Sequence, residues 1–122
     1  MINQLLYVKN RFDIEVLAIR DNPRYSFNIL ESLEQRGIEE TTKKMNLEEN
    51  QKDEDFWKKL EQENDLIHKM DLSKYFKIDD KYQPIIGNVV VYRDNRHLTD
   101  TYSKSFGPIL EEKIIDILEG ND

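Results

Sequence analysis

A chain of 122 residues with 35% charged side chains and a formal net charge of −7 has room for one domain with a modest core. Its acidic balance and scattered lysines and arginines argue against nucleic acid or an anionic lipid surface as partner, because phosphate contacts need clustered basic groups. The chain has no cysteine, which excludes disulfides, thiolate nucleophiles and cysteine-based zinc sites; no apolar run approaches the roughly 20 residues of a membrane span, and no secretory signal is visible.

The spacing of Ile2, Leu5 and Leu6 predicts a helix over about 2–11. Ile14-Glu15-Val16-Leu17-Ala18-Ile19 is short, apolar and rich in β-branched residues, and ends in Arg20-Asp21-Asn22-Pro23. It reads as a buried strand closed by a turn. Helix, short loop and buried strand form the unit of an α/β fold. In such folds, sites form beyond the carboxyl ends of the strands. Arg20, Asp21 and Asn22 would lie at that edge; the simpler reading, preferred here, makes them turn residues placed by Pro23. Phe27, Ile29, Leu30 and Leu33 predict a short helix that ends at Gly37.

Glu39–Asn64 is densely charged, and its charge reads as a solvated face. Its first half reads as loop or partly disordered chain. Leu47, Phe56, Trp57 and Leu60 give it a thin apolar stripe, so its second half reads as an amphipathic surface helix. Asp65–Met70 is a strand candidate, Asp71–Phe76 a turn of helix and Lys77–Gln83 a polar loop. His68 has apolar neighbours in Ile67 and Met70 and no ligand pattern beside it, so it reads as structural; no metal and no cofactor is expected. Val89–Tyr92 is extended. Thr99 can cap the last helix, with Asp100 in its first turn. Tyr102, Phe106, Ile109, Leu110, Ile114, Ile117 and Leu118 form that helix's apolar side. Gly107-Pro108 must kink or split it, and Gly120 ends it. The expected organisation is a helix-strand-helix unit over 1–37, a charged variable insertion over 38–64, and a closing segment over 65–122.

The chemistry concentrates in Tyr92-Arg93-Asp94-Asn95-Arg96-His97-Leu98-Thr99. An Asp-x-x-His on a turn between two elements suits a general base. The imidazole takes a proton from a nucleophile, and the carboxylate fixes its tautomer and stabilises the imidazolium. Asp94 and His97 are the candidate catalytic residues. Arg93 and Arg96 flank them and read as surface positions. By itself the pair is a common pattern, and a plain surface ion pair in a small α/β domain would look the same.

The flanks add to it. Pro84-Ile85-Ile86-Gly87-Asn88-Val89-Val90-Val91-Tyr92-Arg93-Asp94 followed by His97-Leu98-Thr99 resembles the closing segment of the SGNH-type hydrolase domain of bacterial membrane acyltransferases, the polysaccharide and peptidoglycan O-acetyltransferase family. Val16-Leu17-Ala18-Ile19-Arg20-Asp21-Asn22-Pro23-Arg24 resembles an upstream strand and turn of the same domain, and Ile67-His68-Lys69-Met70-Asp71-Leu72 the strand before the closing segment. The resemblance implies a flavodoxin-like three-layer α/β/α fold and a Ser-His-Asp triad that moves acyl groups onto or off carbohydrate hydroxyls. His97 would be the base and Asp94 its orienting carboxylate. Complete members are membrane-attached, with this domain extracytoplasmic in the cell envelope.

The chain departs from that pattern in one decisive respect. The family's nucleophile sits in a Gly-Asp-Ser block, and none of the serines here, Ser26, Ser32, Ser73, Ser103 and Ser105, lies in one. The family's Gly and Asn oxyanion blocks and its paired cysteines are missing too. The expectation is therefore a truncated C-terminal portion of an SGNH-type domain, inactive alone. Its partners in the complete enzyme would be a carbohydrate or acyl-ester substrate, a missing N-terminal half and a membrane acyltransferase domain. The alternative is a non-catalytic glycan- or protein-binding domain on the same scaffold, with Tyr75, Phe76, Tyr82 and Tyr92 and the charged 39–64 stretch lining its surface.

Overall fold

A computed structural model describes residues 2–48, 53–63 and 66–121. In chain order these form α1 (Ile2–Phe12), β1 (Leu17–Ile19), α2 (Ile29–Leu47), α3 (Glu54–Glu63), β2 (His68–Met70), a 3-10 turn (Ser73–Phe76), β3 (Lys77–Ile78), β4 (Lys81–Tyr82), β5 (Ile85–Ile86), β6 (Val89–Val90), α4 (Asp100–Lys104) and α5 (Gly107–Leu118). The strands make three two-stranded sheets, β1–β2 parallel and β3–β4 and β5–β6 antiparallel. This mixture of helices and small sheets fits an α/β chain. Its contacts divide it into two units. One comprises Met1–Asp21, Lys52–Asp71 and Ile109–Asp122, the other Asn22–Gln51 and Leu72–Pro108.

In the first unit, Ile2, Leu5 and Leu6 on the predicted face of α1 pack against buried Trp57, Leu60 and Ile67. The expected amphipathic helix is therefore α3, and Trp57 and Leu60 of the stripe are core, with Phe56 partly buried beside them, while Leu47, the stripe's first member, is exposed. β1 and β2 pair in parallel with Leu17 opposite His68 and Ile19 opposite Met70, which requires a long crossover between them. Arg20, at the end of β1, is more than a turn residue. Its buried guanidinium donates to Asp71 at 3.0 Å, Glu54 at 2.6 Å and Asp53 at 3.2 Å, and lies 5.8 Å from the centroid of Trp57. Burial works against its charge, but the bonds to Glu54, Asp53 and Asp71 more than offset this and raise its pKa. Arg20 thus ties the end of β1 to the start of α3 and to the end of β2. On α5, Ile114 and Leu118 are 47% and 76% exposed, so the apolar side expected there is only partly covered.

In the second unit, the short helix does meet a break at Gly37, whose φ of 84° is left-handed. The chain then resumes helix directly and continues to Leu47. The expected loop over the first half of the charged stretch is corrected on this point; residues 49–52 and 64 of that stretch, and Asp65 at the head of the strand candidate, lie outside the described residues. The reason is local. Thr41 and Met45, one helical turn apart, are both buried, while Lys43 pairs with Glu39 and Glu40 on the outer side.

Lys77–Gln83 is likewise not an open loop. β3 and β4 pair around Asp79 and Asp80, both left-handed at φ 51° and 64°, the signature of a two-residue primed turn. Gly87 and Asn88, at φ 58° and 63°, turn β5 into β6 in the same way. The core is aromatic. The Phe76 ring lies 5.8 Å from Phe106, 5.9 Å from Tyr102 and 6.2 Å from Tyr92. Phe76 and Tyr92 are buried, which removes them from any partner-binding surface. The last helix is split: α4 stops at Lys104 and α5 starts at Gly107, leaving Pro108 in a first turn, where its missing N–H breaks no bond. Thr99 caps α4 by accepting from the Tyr102 N–H at 3.3 Å.

Candidate functional site

The Asp94–His97 pair sits on a five-residue loop between Tyr92 and Leu98, which form an antiparallel bridge after β6. The Arg93 N–H donates to the His97 carbonyl at 3.0 Å, and the Thr99 N–H to the Val91 carbonyl at 2.9 Å. Inside the loop Asp94 makes the turn that a short acidic side chain favours, bonding backbone N–H groups ahead of it. Its Oδ1 accepts from the Arg96 N–H at 2.8 Å and from the His97 N–H at 2.7 Å. Its Oδ2 meets His97 Nδ1 at 2.7 Å.

These bonds fix the state of both groups. The N–H groups of His97 and Arg96 and then the His97 ring hold the Asp94 carboxyl far below its ordinary value of 3.8. An ionised carboxylate only accepts, so Nδ1 is the donating nitrogen and carries the proton. In the neutral ring, Nε2 then presents its lone pair. The His97 side chain is 50% exposed, and among the described residues Nε2 has no hydrogen-bond partner. The arrangement can therefore accept a proton at Nε2 while Asp94 stabilises the resulting cation at Nδ1.

The sequence reading missed what braces this loop. Residues 22–29 run beside it. The Ile29 N–H donates to the Asp94 carbonyl at 3.2 Å, the Tyr25 N–H to the Asn95 carbonyl at 2.9 Å, and the Asn22 carboxamide to the Arg96 carbonyl at 2.8 Å. Asn95 Nδ2 returns a bond to the Tyr25 carbonyl at 3.2 Å. Below them the buried Tyr92 hydroxyl donates to the Pro23 carbonyl at 2.7 Å. The available signal is the Arg20-Asp21-Asn22-Pro23 turn itself, which reads as the close of a strand. Arg93 and Arg96 are exposed, as expected.

No serine among the described residues is hydrogen-bonded to His97. Ser26 Oγ donates to Glu48. Ser32 and Thr41 share a buried bond of 2.7 Å, and Ser105 Oγ turns back to the Tyr102 carbonyl. Ser103 lies within α4, after the loop. His68, on β2, meets Glu15 through Nε2 at 2.9 Å, and Lys9 joins the same Glu15 oxygen at 3.2 Å. Among the described residues no three His, Asp or Glu side chains are grouped to hold a metal ion.

Residues 3–112 match the family model described as SGNH domain (fused to AT3 domains). No curated protein and no solved structure matches the chain. Among the described residues no helix is long and apolar enough to cross a membrane. Because the match spans nearly all of the sequence, the chain belongs to the family of SGNH domains fused to AT3 domains, and with it to the acyltransferase and esterase class.

Proposed function

We propose that this chain is the base-bearing C-terminal portion of a serine-type O-acyltransferase or esterase acting on carbohydrate hydroxyls in the cell envelope, within a flavodoxin-like three-layer domain. His97 is the general base and Asp94 its orienting carboxylate. The observation that carries the reading is the ring geometry: Nδ1 bound to an ionised carboxylate at 2.7 Å and Nε2 open on a half-exposed ring. A triad histidine needs this polarity, with the far nitrogen turned to the nucleophile.

The nucleophile and the oxyanion donors come from a Gly-Asp-Ser-bearing segment, since none of this chain's serines lies in such a block. His97 Nε2 takes the proton of that serine as its oxygen attacks the acyl carbonyl. The tetrahedral oxyanion collapses, the acyl–oxygen bond breaks, and the leaving alkoxide receives the proton from His97. The acyl-serine then passes its acyl group to a sugar hydroxyl or to water, which His97 deprotonates in turn; the acyl–serine bond breaks and the serine oxygen takes that proton back from His97. Two thirds of a triad do not turn over: loss of the nucleophile alone costs on the order of 10⁶ in a comparable serine hydrolase.

The test uses a chromogenic acetyl ester. The isolated chain is expected to show no turnover above the same chain carrying His97→Ala. Fused behind the Gly-Asp-Ser-containing half of another family member, it is expected to turn over. In that fusion His97→Ala abolishes the activity, and Asp94→Asn lowers it by about 10⁴ by leaving the wrong tautomer. A fusion whose turnover survives His97→Ala removes His97 from the mechanism.

A further inference from the structure

The Asp94–His97 loop is gripped at three consecutive carbonyls. Those of Asp94, Asn95 and Arg96 accept in turn from the Ile29 N–H, the Tyr25 N–H and the Asn22 carboxamide. The first two donors are backbone groups that almost any residue supplies. The third is a side chain, and it reaches across 74 positions of sequence. It also holds the carbonyl nearest the ring.

That carbonyl belongs to the peptide unit joining Arg96 to His97. The same unit carries the His97 N–H, which donates to Asp94 Oδ1 at 2.7 Å. A peptide unit is planar and turns as a whole. Asn22 on its C=O and Asp94 on its N–H therefore fix one plate at both ends. Rotation of that plate would release the His97 N–H from Asp94 and swing the imidazole away from Oδ2. The half-exposed ring has no other described partner that would hold its orientation.

We propose that Asn22 is a positioning residue: by donating to the Arg96 carbonyl it holds the Arg96–His97 peptide so that Asp94 keeps His97 protonated on Nδ1 with Nε2 open. This gives the turn after β1 a role at the site. The geometric statement stands without catalysis; its consequence for turnover rests on the reading of His97 as the base.

The test is the imidazole nitrogen spectrum of the whole chain, recorded by NMR with the pH raised until the His97 signals no longer move. Asn22→Asp keeps the shape and removes the donor, and Asn22→Ala removes both. In each, the ratio of the Nδ1–H to the Nε2–H form of His97 is expected to fall by on the order of fivefold, the change that one ordinary hydrogen bond carries. The fall should approach the ratio seen in Asp94→Asn, with the His68 signals unmoved and the thermal transition close to that of the unaltered chain. An unchanged ratio in both variants overturns the proposal. Loss of folding in both overturns it equally, because Asn22 would then hold the fold and not the ring. The catalytic reading fails separately: a fusion that stays inactive while the ratio shifts sinks that reading alone, and an active fusion with an unmoved ratio sinks this one.

Discussion

His97 and His68 each hold a carboxylate at hydrogen-bond distance, 2.7 Å to Asp94 and 2.9 Å to Glu15, yet the two pairs are held in different ways. Asp94 is three residues from its histidine, and both of its oxygens are engaged, one by two backbone N–H groups and one by the ring. Glu15 comes from 53 residues away, on a longer side chain with more rotamers to lose, and Lys9 shares its bonded oxygen. The ring nitrogens differ as well. His97 spends Nδ1 and leaves Nε2 outward. His68 spends Nε2, the nitrogen farther from its own backbone. The comparison teaches that a His–carboxylate contact is not in itself a base site. What matters is which nitrogen is bound and how firmly the carboxylate is held.

The widest separation between the two is expected in turnover. In the active fusion, His97→Ala costs on the order of 10⁶, as removal of a triad member does. His68→Ala should leave kcat/KM within a few-fold of the parent, checked with the same chromogenic ester. A large loss at His68 would break the comparison and give the Glu15 pair a part in the reaction.

How much of this was legible in the sequence follows from how local each feature is. Asp94–His97 could be read because an aspartate bonding N–H groups two and three residues ahead is a local habit of the chain. The Thr99 cap and the break at Gly107-Pro108 were legible for the same reason. The hairpin at Asp79–Asp80 was not. An Asp-Asp pair is a weak turn signal, although aspartate tolerates the left-handed conformation that both residues adopt. The helix through Leu47 was hidden by its charge, since Thr41 and Met45 are a thin stripe among Lys and Glu. Glu15–His68 and Asn22–Arg96 join residues 53 and 74 apart, and no spacing rule reaches that far. The family resemblance was legible and belongs to the chain. The brace around the loop became visible only when the two segments lay side by side.

Within the brace around the His97 loop, two buried tyrosines differ in the same way. Tyr92 donates its hydroxyl to the Pro23 carbonyl at 2.7 Å. The Tyr25 hydroxyl, also buried, has no partner among the described residues, and burial raises its pKa. Tyr92→Phe leaves the Pro23 carbonyl only the longer 3.3 Å bond from the Asn22 carboxamide and is expected to cost about 1 kcal/mol. Tyr25→Phe removes an already unsatisfied group and is expected to be neutral or slightly stabilising. Urea unfolding followed by far-ultraviolet circular dichroism distinguishes them. Equal losses would mean that the hydroxyl of Tyr92 does not hold residues 22–29 against the loop.

The smallest expected effect is in acid, and its sign follows from the direction of the shifts. The His97 and Arg96 N–H groups and the His97 ring depress the Asp94 carboxyl far below 3.8. The His68 ring and then Lys9 depress the Glu15 carboxyl below 4.5. A carboxyl depressed on folding stabilises the native state in full above its unfolded pKa, and loses that contribution as pH falls through the folded one. Each neutral variant, Asp94→Asn and Glu15→Gln, should therefore melt below the parent at neutral pH and converge on it in acid. Convergence should come later for Asp94, because two fixed backbone donors hold its charge in place, whereas the Glu15 charge is held by the side chains of His68 and Lys9. Thermal melts between pH 7 and pH 2 measure the two gaps. If the Glu15 gap persists to the lower pH, the firmer carboxylate is the one on the strand side, and the rigidity that distinguishes His97 from His68 has been assigned to the wrong histidine.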